Sequence, residues 1–164
     1  MSAGEEFGAR AEERELLVGF LDWYRGVVVH KVEDLRSEQA SRVMTATGLS
    51  PLGVIAHLAA VEVGWFAETF AGDPVDPAWE GHGAFVLSPA DTTTSVIGEY
   101  ERACARSRTI VDGTPSLDVR AVEAHDFWGH VSLRWLLVHM IEETARHAGH
   151  LDIMREAIDG RTGD

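Results

Sequence analysis

The sequence has little positive charge, few prolines and almost no cysteine. It contains 14 Lys and Arg residues against 27 Asp and Glu, so its formal net charge at pH 7 is −13. Nucleic acids and anionic membrane surfaces bind positively charged protein faces, so this balance argues against both as partners. A small molecule or a second copy of the chain is a more plausible partner.

The single cysteine, Cys104, excludes an internal disulfide. It lies within a predicted helix, where we interpret it as a small apolar packing residue rather than a reactive thiol. The acidic N-terminal segment has neither the basic nor the apolar stretch of a signal peptide, and no uninterrupted apolar run reaches the ~20 residues of a membrane span. We therefore expect a cytoplasmic protein with no membrane partner.

A chain of 164 residues is long enough to bury one core, and no linker or repeat divides it, so we predict a single domain over 1–164. Apolar residues recur every three or four positions in four stretches. These predict helices at 12–34, 51–70, from Ser88-Pro89 to 111, and from a Ser132 cap to 159, ending at Gly160. The expected fold is all-α, a four-helix bundle with two long connections at 72–87 and 114–131.

The last helix places polar side chains on its apolar face. Glu143, His147 and His150 fall within the stripe of apolar residues, and His139 lies at its edge. A buried carboxylate needs hydrogen bonds, an opposite charge or a metal ion. Because Glu143 and His147 are four residues apart, they project side by side and can share one ion. A buried hydrogen-bond network without metal is the competing interpretation.

The second predicted helix supplies a further candidate ligand, His57. The helix is apolar on nearly every side, and the residues near His57 are small, among them Gly53 and Gly64. The other histidines are weaker candidates, and His82 and His125 lie in the two connections. We interpret four of the tryptophans as packing residues rather than a substrate cage: Trp65, Trp79, Trp128 and Trp135.

Two segments resemble the DinB-like superfamily of bacterial four-helix bundles: Ser50-Pro51 to Glu62, which contains His57, and Met140 to Glu156, which contains Glu143, His147 and His150. The resemblance covers nearly the whole chain and is nearest to an actinobacterial-type branch. Members typically bind a metal through three histidines, and His57 and His147 match the first and last. Glu143 departs from the middle histidine, but the related mycothiol-dependent maleylpyruvate isomerases also carry a glutamate there. His150 stands where many members have glutamine.

The resemblance implies a divalent metal, with zinc leading and nickel, iron or manganese as alternatives. It also implies a low-molecular-weight thiol as cosubstrate, a homodimer, and an S-transferase or isomerase acting on a small electrophile. His150 and His139 are candidates for catalytic proton transfer, and His150 is also a candidate fourth ligand. Trp79, His82 and Phe85, from the first connection, are candidates for the substrate pocket. A metal- or ligand-binding protein without turnover is the alternative function.

Overall fold

The computed structural model describes residues 12–74 and 85–162. Within these ranges the chain is helical and the all-α prediction is confirmed. The described part of the second connection contains only isolated β-bridges, Arg120 with Ser132 and His125 with Gly129. The helices are α1 (Glu13–His30), α2 (Ser37–Ala40), α3 (Pro51–Glu62, continued by a π-helical segment, Val63–Phe70), α4 (Thr93–Gly113) and α5 (Leu133–Asp159).

The ends of α3 and α5 follow from local hydrogen bonding. The Ser50 side chain accepts a hydrogen bond from the Gly53 amide, and Pro51 occupies the first turn of α3, where its missing N–H costs nothing. The Ser132 side chain caps α5 in the same way. Gly160 ends that helix in the left-handed region, at φ 78°. The predicted boundaries of these two elements are confirmed.

The predicted start of the third long helix at Ser88-Pro89 is wrong. Helix α4 begins at Thr93, because Thr92 and Ser95 form a reciprocal capping box that satisfies two free amides. Ser88 instead belongs to a turn, in which its amide donates to the Asp91 carboxylate over 2.7 Å and the Asp91 amide donates back to its carbonyl. A Ser-Pro pair therefore marks a turn here and a helix start at Ser50-Pro51.

The long helices pack mainly as two pairs, α1 against α5 and α3 against α4, and α3 also contacts α5. Apolar side chains between them form two main clusters, one around Val28 and Leu58 and the other around Leu21 and Phe66. A buried ion pair lies between the two clusters. On α1 and on α3, each residue of the pair is about one helical turn from a residue of either cluster. It joins Arg25 to Glu62 through hydrogen bonds of 2.8 and 2.6 Å.

The continuous helix Pro51–Phe70 is long and apolar enough, by length and composition, to cross a membrane. It is not an uninterrupted apolar run of the kind considered in the sequence, because Glu62 and Glu68 lie within it. More than half of the apolar window is buried inside the protein, at 56%. The helix also carries Glu62, whose carboxylate pairs with Arg25. These features are typical of a central core helix.

Candidate metal centre

Helices α3 and α5 bring His57, Glu143 and His147 together. The Glu143 Oε1 atom lies 3.2 Å from His57 Nε2 and 3.2 Å from His147 Nε2. One donor atom from each of the three residues lies within 4.8 Å of the other two. Their side chains are 13%, 15% and 6% exposed, respectively, so the group is shielded but open to a small solute. We call this group the three-donor cluster.

The dimensions of the three-donor cluster fit a divalent metal ion. Ligands held at 2.0–2.1 Å around a tetrahedral ion lie about 3.4 Å from one another, and the two observed spacings are close to this value. The donor set has two imidazole nitrogens and one carboxylate oxygen. Zinc accepts this mixture, and so do several other divalent transition metals. Three protein ligands also leave a position for a thiol or water.

The electrostatics of the cluster favour an anionic carboxylate. Hydrogen bonds from His147, and then from His57, hold the pKa of Glu143 well below its ordinary value, although partial burial acts against them. Arg146 adds a positive charge, with its Nη1 atom 3.7 Å from Glu143 Oε2. Glu143 is therefore a carboxylate at neutral pH, as a metal ligand must be.

His150 lies beside the three-donor cluster rather than within it. Its Nδ1 atom is 3.3 Å from the Nδ1 atom of His147, on the side of that ring away from Glu143. Such a contact at the far nitrogen fixes the tautomer and orientation of a metal-binding histidine. Burial, and then the neighbouring His147, lower the pKa of His150, which favours the neutral imidazole. A role for His150 as a fourth ligand stays a prediction.

Phe85 covers the imidazole of His57. The two rings stack with centroids 4.1 Å apart and planes 20° apart, and Phe85 also lies 5.5 Å from His147. Its backbone has a φ of 57°, a conformation that costs a bulky residue about 1–3 kcal/mol. Gly53 allows this placement, because a Cβ atom there would lie 2.6 Å from the Phe85 carbonyl oxygen. Two further pocket candidates, Trp79 and His82, lie outside the described residues.

The family model of the mycothiol S-transferases matches residues 16–160, which include both helices of the three-donor cluster. The chain belongs to the mycothiol S-transferase family. This family is part of the DinB-like superfamily, so the resemblance seen in the two sequence segments is confirmed. No curated protein matches the sequence.

In this member of the mycothiol S-transferase family, a group of aromatic rings lies next to the three-donor cluster. We call Trp65, His125, Trp128, Trp135 and His139 the aromatic cluster. Trp65 lies 4.7 Å from His139 and 5.0 Å from His125, centroid to centroid, and His139 stacks on Trp135 at 5.1 Å. His139 therefore belongs to this cluster rather than to the group of donor atoms.

Sequence reasoning missed the aromatic cluster and two residues at the site. It interpreted four tryptophans together as packing residues and did not connect them with the site, although Trp65 and Trp135 lie on the two helices that also carry the donor residues. Arg146 is three residues from Glu143, a spacing that places both on one side of α5, so it could have been found. Gly53 gave no such signal, because its role depends on a backbone contact with a residue 32 positions later (85 − 53).

Proposed function

We propose that the protein is a metal-dependent thiol S-transferase that joins mycothiol or a similar thiol to a small electrophile. The observation that carries the proposal is the three-donor cluster, in which His57 Nε2, Glu143 Oε1 and His147 Nε2 converge from two helices. Family membership supports the thiol as cosubstrate. Isomerisation of a thiol adduct is the related reaction that the same site would support.

We further propose that the four long helices form the family's four-helix bundle. The pairing of α1 with α5 and of α3 with α4, joined by contacts between α3 and α5, supports this arrangement. Of the metals, zinc is our leading candidate. It accepts nitrogen and oxygen ligands together and readily binds a thiolate in an open position.

The residues of the site have different roles in the proposed reaction. A divalent ion held by the three-donor cluster would lower the pKa of a thiol bound to it. His150 orients His147 through the Nδ1 contact, and Phe85 shields His57 on one face. His150 is our candidate for accepting the thiol proton, with His139 as the alternative. In the transfer itself, the sulfur lone pair forms a bond to the electrophilic carbon, and the leaving group departs with the electron pair of the broken bond.

The proposal is tested by thiol-transfer assays on His57→Ala, Glu143→Gln and His147→Ala. We expect each variant to lose transfer while keeping its helical circular dichroism spectrum. An exposed-residue variant on the same helix, Glu156→Gln, is the matched control and should retain activity. Full activity in protein stripped of metal would overturn the proposal.

The competing interpretation is a hydrogen-bonded network that binds no metal. One observation favours it, since Glu143 Oε1 lies within hydrogen-bond distance of both imidazoles. A binding protein without turnover is the third interpretation. Metal analysis of protein purified without a histidine tag separates the network from the other two, and an assay with mycothiol separates the enzyme from the binding protein.

A further inference from the structure

The aromatic cluster lies next to the three-donor cluster. Both helices that carry the three donors also carry rings of the aromatic cluster. On α5, His139 precedes Glu143 by four residues, about one turn. On the other helix, Trp65 follows His57 by eight residues, within the π-helical segment. The Trp65 ring contacts the His139 ring. Rings of the aromatic cluster therefore lie on the same two helices as the three donors, about one to two turns away along each helix.

A cavity of about 330 Å³ opens beside this aromatic surface. Ala60 and Gly64 line it with small groups, Trp65 and His125 line it with rings that stack on each other, and Glu68 contributes a carboxylate. A Cβ atom built at Gly64 meets only the Glu68 side chain, at 4.0 Å, so the space above this glycine is open. The cavity is large enough for a single substituted ring.

The chemistry of the lining selects one class of ligand. Aromatic walls favour a flat ring, because offset and edge-on ring pairs add to simple burial. None of the residues that line this cavity in the described part of the chain is Lys or Arg, and Glu68 is an acid. A ligand bearing a carboxylate would lose its hydration there without gaining a partner charge. The lining therefore favours an uncharged aromatic molecule over a small organic acid.

The outer end of the aromatic surface is accessible. Trp128 is 47% exposed, although its ring packs 4.7 Å from His125 and 5.1 Å from Trp135. The tight turn that carries it is held by two backbone hydrogen bonds between His125 and Gly129. In addition, the Phe127 amide donates to His125 Nδ1 and so fixes the ring that faces the cavity. The turn itself therefore holds the His125 ring in position at the cavity.

We propose that this cavity binds the uncharged aromatic part of the electrophile during the thiol transfer proposed above, on which the inference rests. Ala60 and Gly64 lie about 5–10 Å along the helix from His57, a distance that one ring and its reactive carbon can span. With a haloarene, the thiolate sulfur bonds to the ring carbon that carries the halogen, and halide leaves with the bonding electron pair. Glu68, and the absence of lysine and arginine from the described residues that line the cavity, disfavour anionic electrophiles.

In the kinetic test, a larger side chain in Gly64→Leu fills the cavity. Three electrophiles are then compared, each with mycothiol as the thiol. These are 1-chloro-2,4-dinitrobenzene (aromatic, uncharged), 4-chloro-3,5-dinitrobenzoate (aromatic, anionic) and iodoacetamide (aliphatic, uncharged). In Gly64→Leu we expect kcat/KM for the uncharged arene to fall about three- to tenfold relative to iodoacetamide, the range that loss of ring contacts predicts. The wild type should also prefer the uncharged arene to the benzoate. Gly26→Leu, an exposed change on α1 whose Cβ meets nothing within 4 Å, is the matched control and should leave these ratios unchanged.

A binding measurement separates this inference from the proposed function. Calorimetric titration with 1,3-dinitrobenzene, which has no leaving group, should show binding to the wild type and to His147→Ala, and weaker binding to Gly64→Leu and Trp128→Ala. This pattern without any thiol transfer would show that the cavity binds an uncharged arene, and it would overturn the proposed function. Transfer to iodoacetamide without arene binding, or equal arene binding by all four proteins, would overturn the inference. Circular dichroism of each variant confirms that it is folded.

Discussion

Two polar groups inside the fold each have one member on α3, Glu62 in one and His57 in the other, and they are built in opposite ways. Arg25 and Glu62 form a closed pair with two short hydrogen bonds, and their side chains are 5% and 1% exposed. His57, Glu143 and His147 form an open group in which one carboxylate oxygen lies 3.2 Å from each of two imidazoles. In the first group each charge is neutralised by its partner. In the second, two imidazoles flank one carboxylate, and the group can still accept a cation.

The difference also separates structural from chemical roles. Burial alone would lower the pKa of Arg25, but the Glu62 carboxylate outweighs it and raises that pKa, so the pair stays charged. Burial, and then Glu62, raise the pKa of nearby Cys104 to about 12. The Cys104 thiol is therefore held in its protonated form, and a buried thiol of this kind is a poor nucleophile. The closed pair stabilises the fold, and the open group is suited to binding.

The largest expected effect is on the closed pair. Glu62→Gln leaves the buried Arg25 guanidinium with only the partly exposed Asp22 carboxylate as a counter-charge, so the free energy of unfolding should fall, toward the lower end of about 3–5 kcal/mol. Urea denaturation of the metal-free protein measures this loss. The double variant Arg25→Met with Glu62→Met removes both charges and should recover much of it. A loss below about 1 kcal/mol for Glu62→Gln is typical of an exposed ion pair, and it would contradict the description of Arg25 and Glu62 as a buried pair of mutually neutralising charges.

The corresponding change in the open group should act on metal binding rather than on the fold. At a free zinc concentration of a hundred times Kd, a single site stabilises the folded state by about 2.7 kcal/mol. We expect this gain in the wild type, and we expect Glu143→Gln to lose it. Without metal, Glu143→Gln should be only slightly less stable than the wild type at neutral pH, because it loses the contribution that the lowered pKa of Glu143 makes. An equal zinc-induced gain in both would place the metal elsewhere.

His150 should matter less than the donors themselves, because it contacts only the far nitrogen of His147. We expect His150→Ala to weaken metal affinity about 10- to 100-fold without abolishing it, as is typical for groups that orient a ligand. Competition with a chromophoric chelator gives the affinity, and His139→Ala is the control on the same helix. Complete loss of the metal in His150→Ala would make His150 a ligand.

The smallest expected effect is on the acid sensitivity of the metal-free protein. Hydrogen bonds from His147, and then from His57, lower the pKa of Glu143 in the folded state relative to its ordinary 4.5. A lowered folded-state pKa stabilises the protein above the unfolded value, and this contribution is lost as the pH falls below about 4.5 toward the folded pKa. The wild type should therefore lose more stability than Glu143→Gln between pH 5 and pH 3. Parallel urea titrations at several pH values measure the difference, and coincident pH profiles would contradict the assignment.

The sequence was informative wherever the signal was local. Serine caps and a terminal glycine predicted the bounds of α3 and α5, and helical spacing placed Glu143 and His147 on one buried face. The start of α4 was mistaken because Ser88-Pro89 and Thr92 offered competing local signals. The helix formed where the capping box satisfied more backbone groups.

Contacts between distant segments were not predictable in this way. Arg25 and Glu62 are 37 residues apart, and periodicity marks each as a polar residue within an apolar helix without pairing them. The π-helical segment has no residue signature, yet it carries Trp65 into contact with His139. Phe85 reaches His57 through a strained backbone conformation that no sequence pattern marks.

The central claim is that His57, Glu143 and His147 hold one divalent ion. The most direct test is elemental analysis of protein purified without a histidine tag, supplied with zinc and then freed of unbound metal by gel filtration. We predict about one ion per chain in the wild type and a large loss of metal in Glu143→Gln and His147→Ala, since a site with three protein ligands depends on each of them. A wild-type protein that retains no metal, or variants that retain as much metal as the wild type, would contradict the claim.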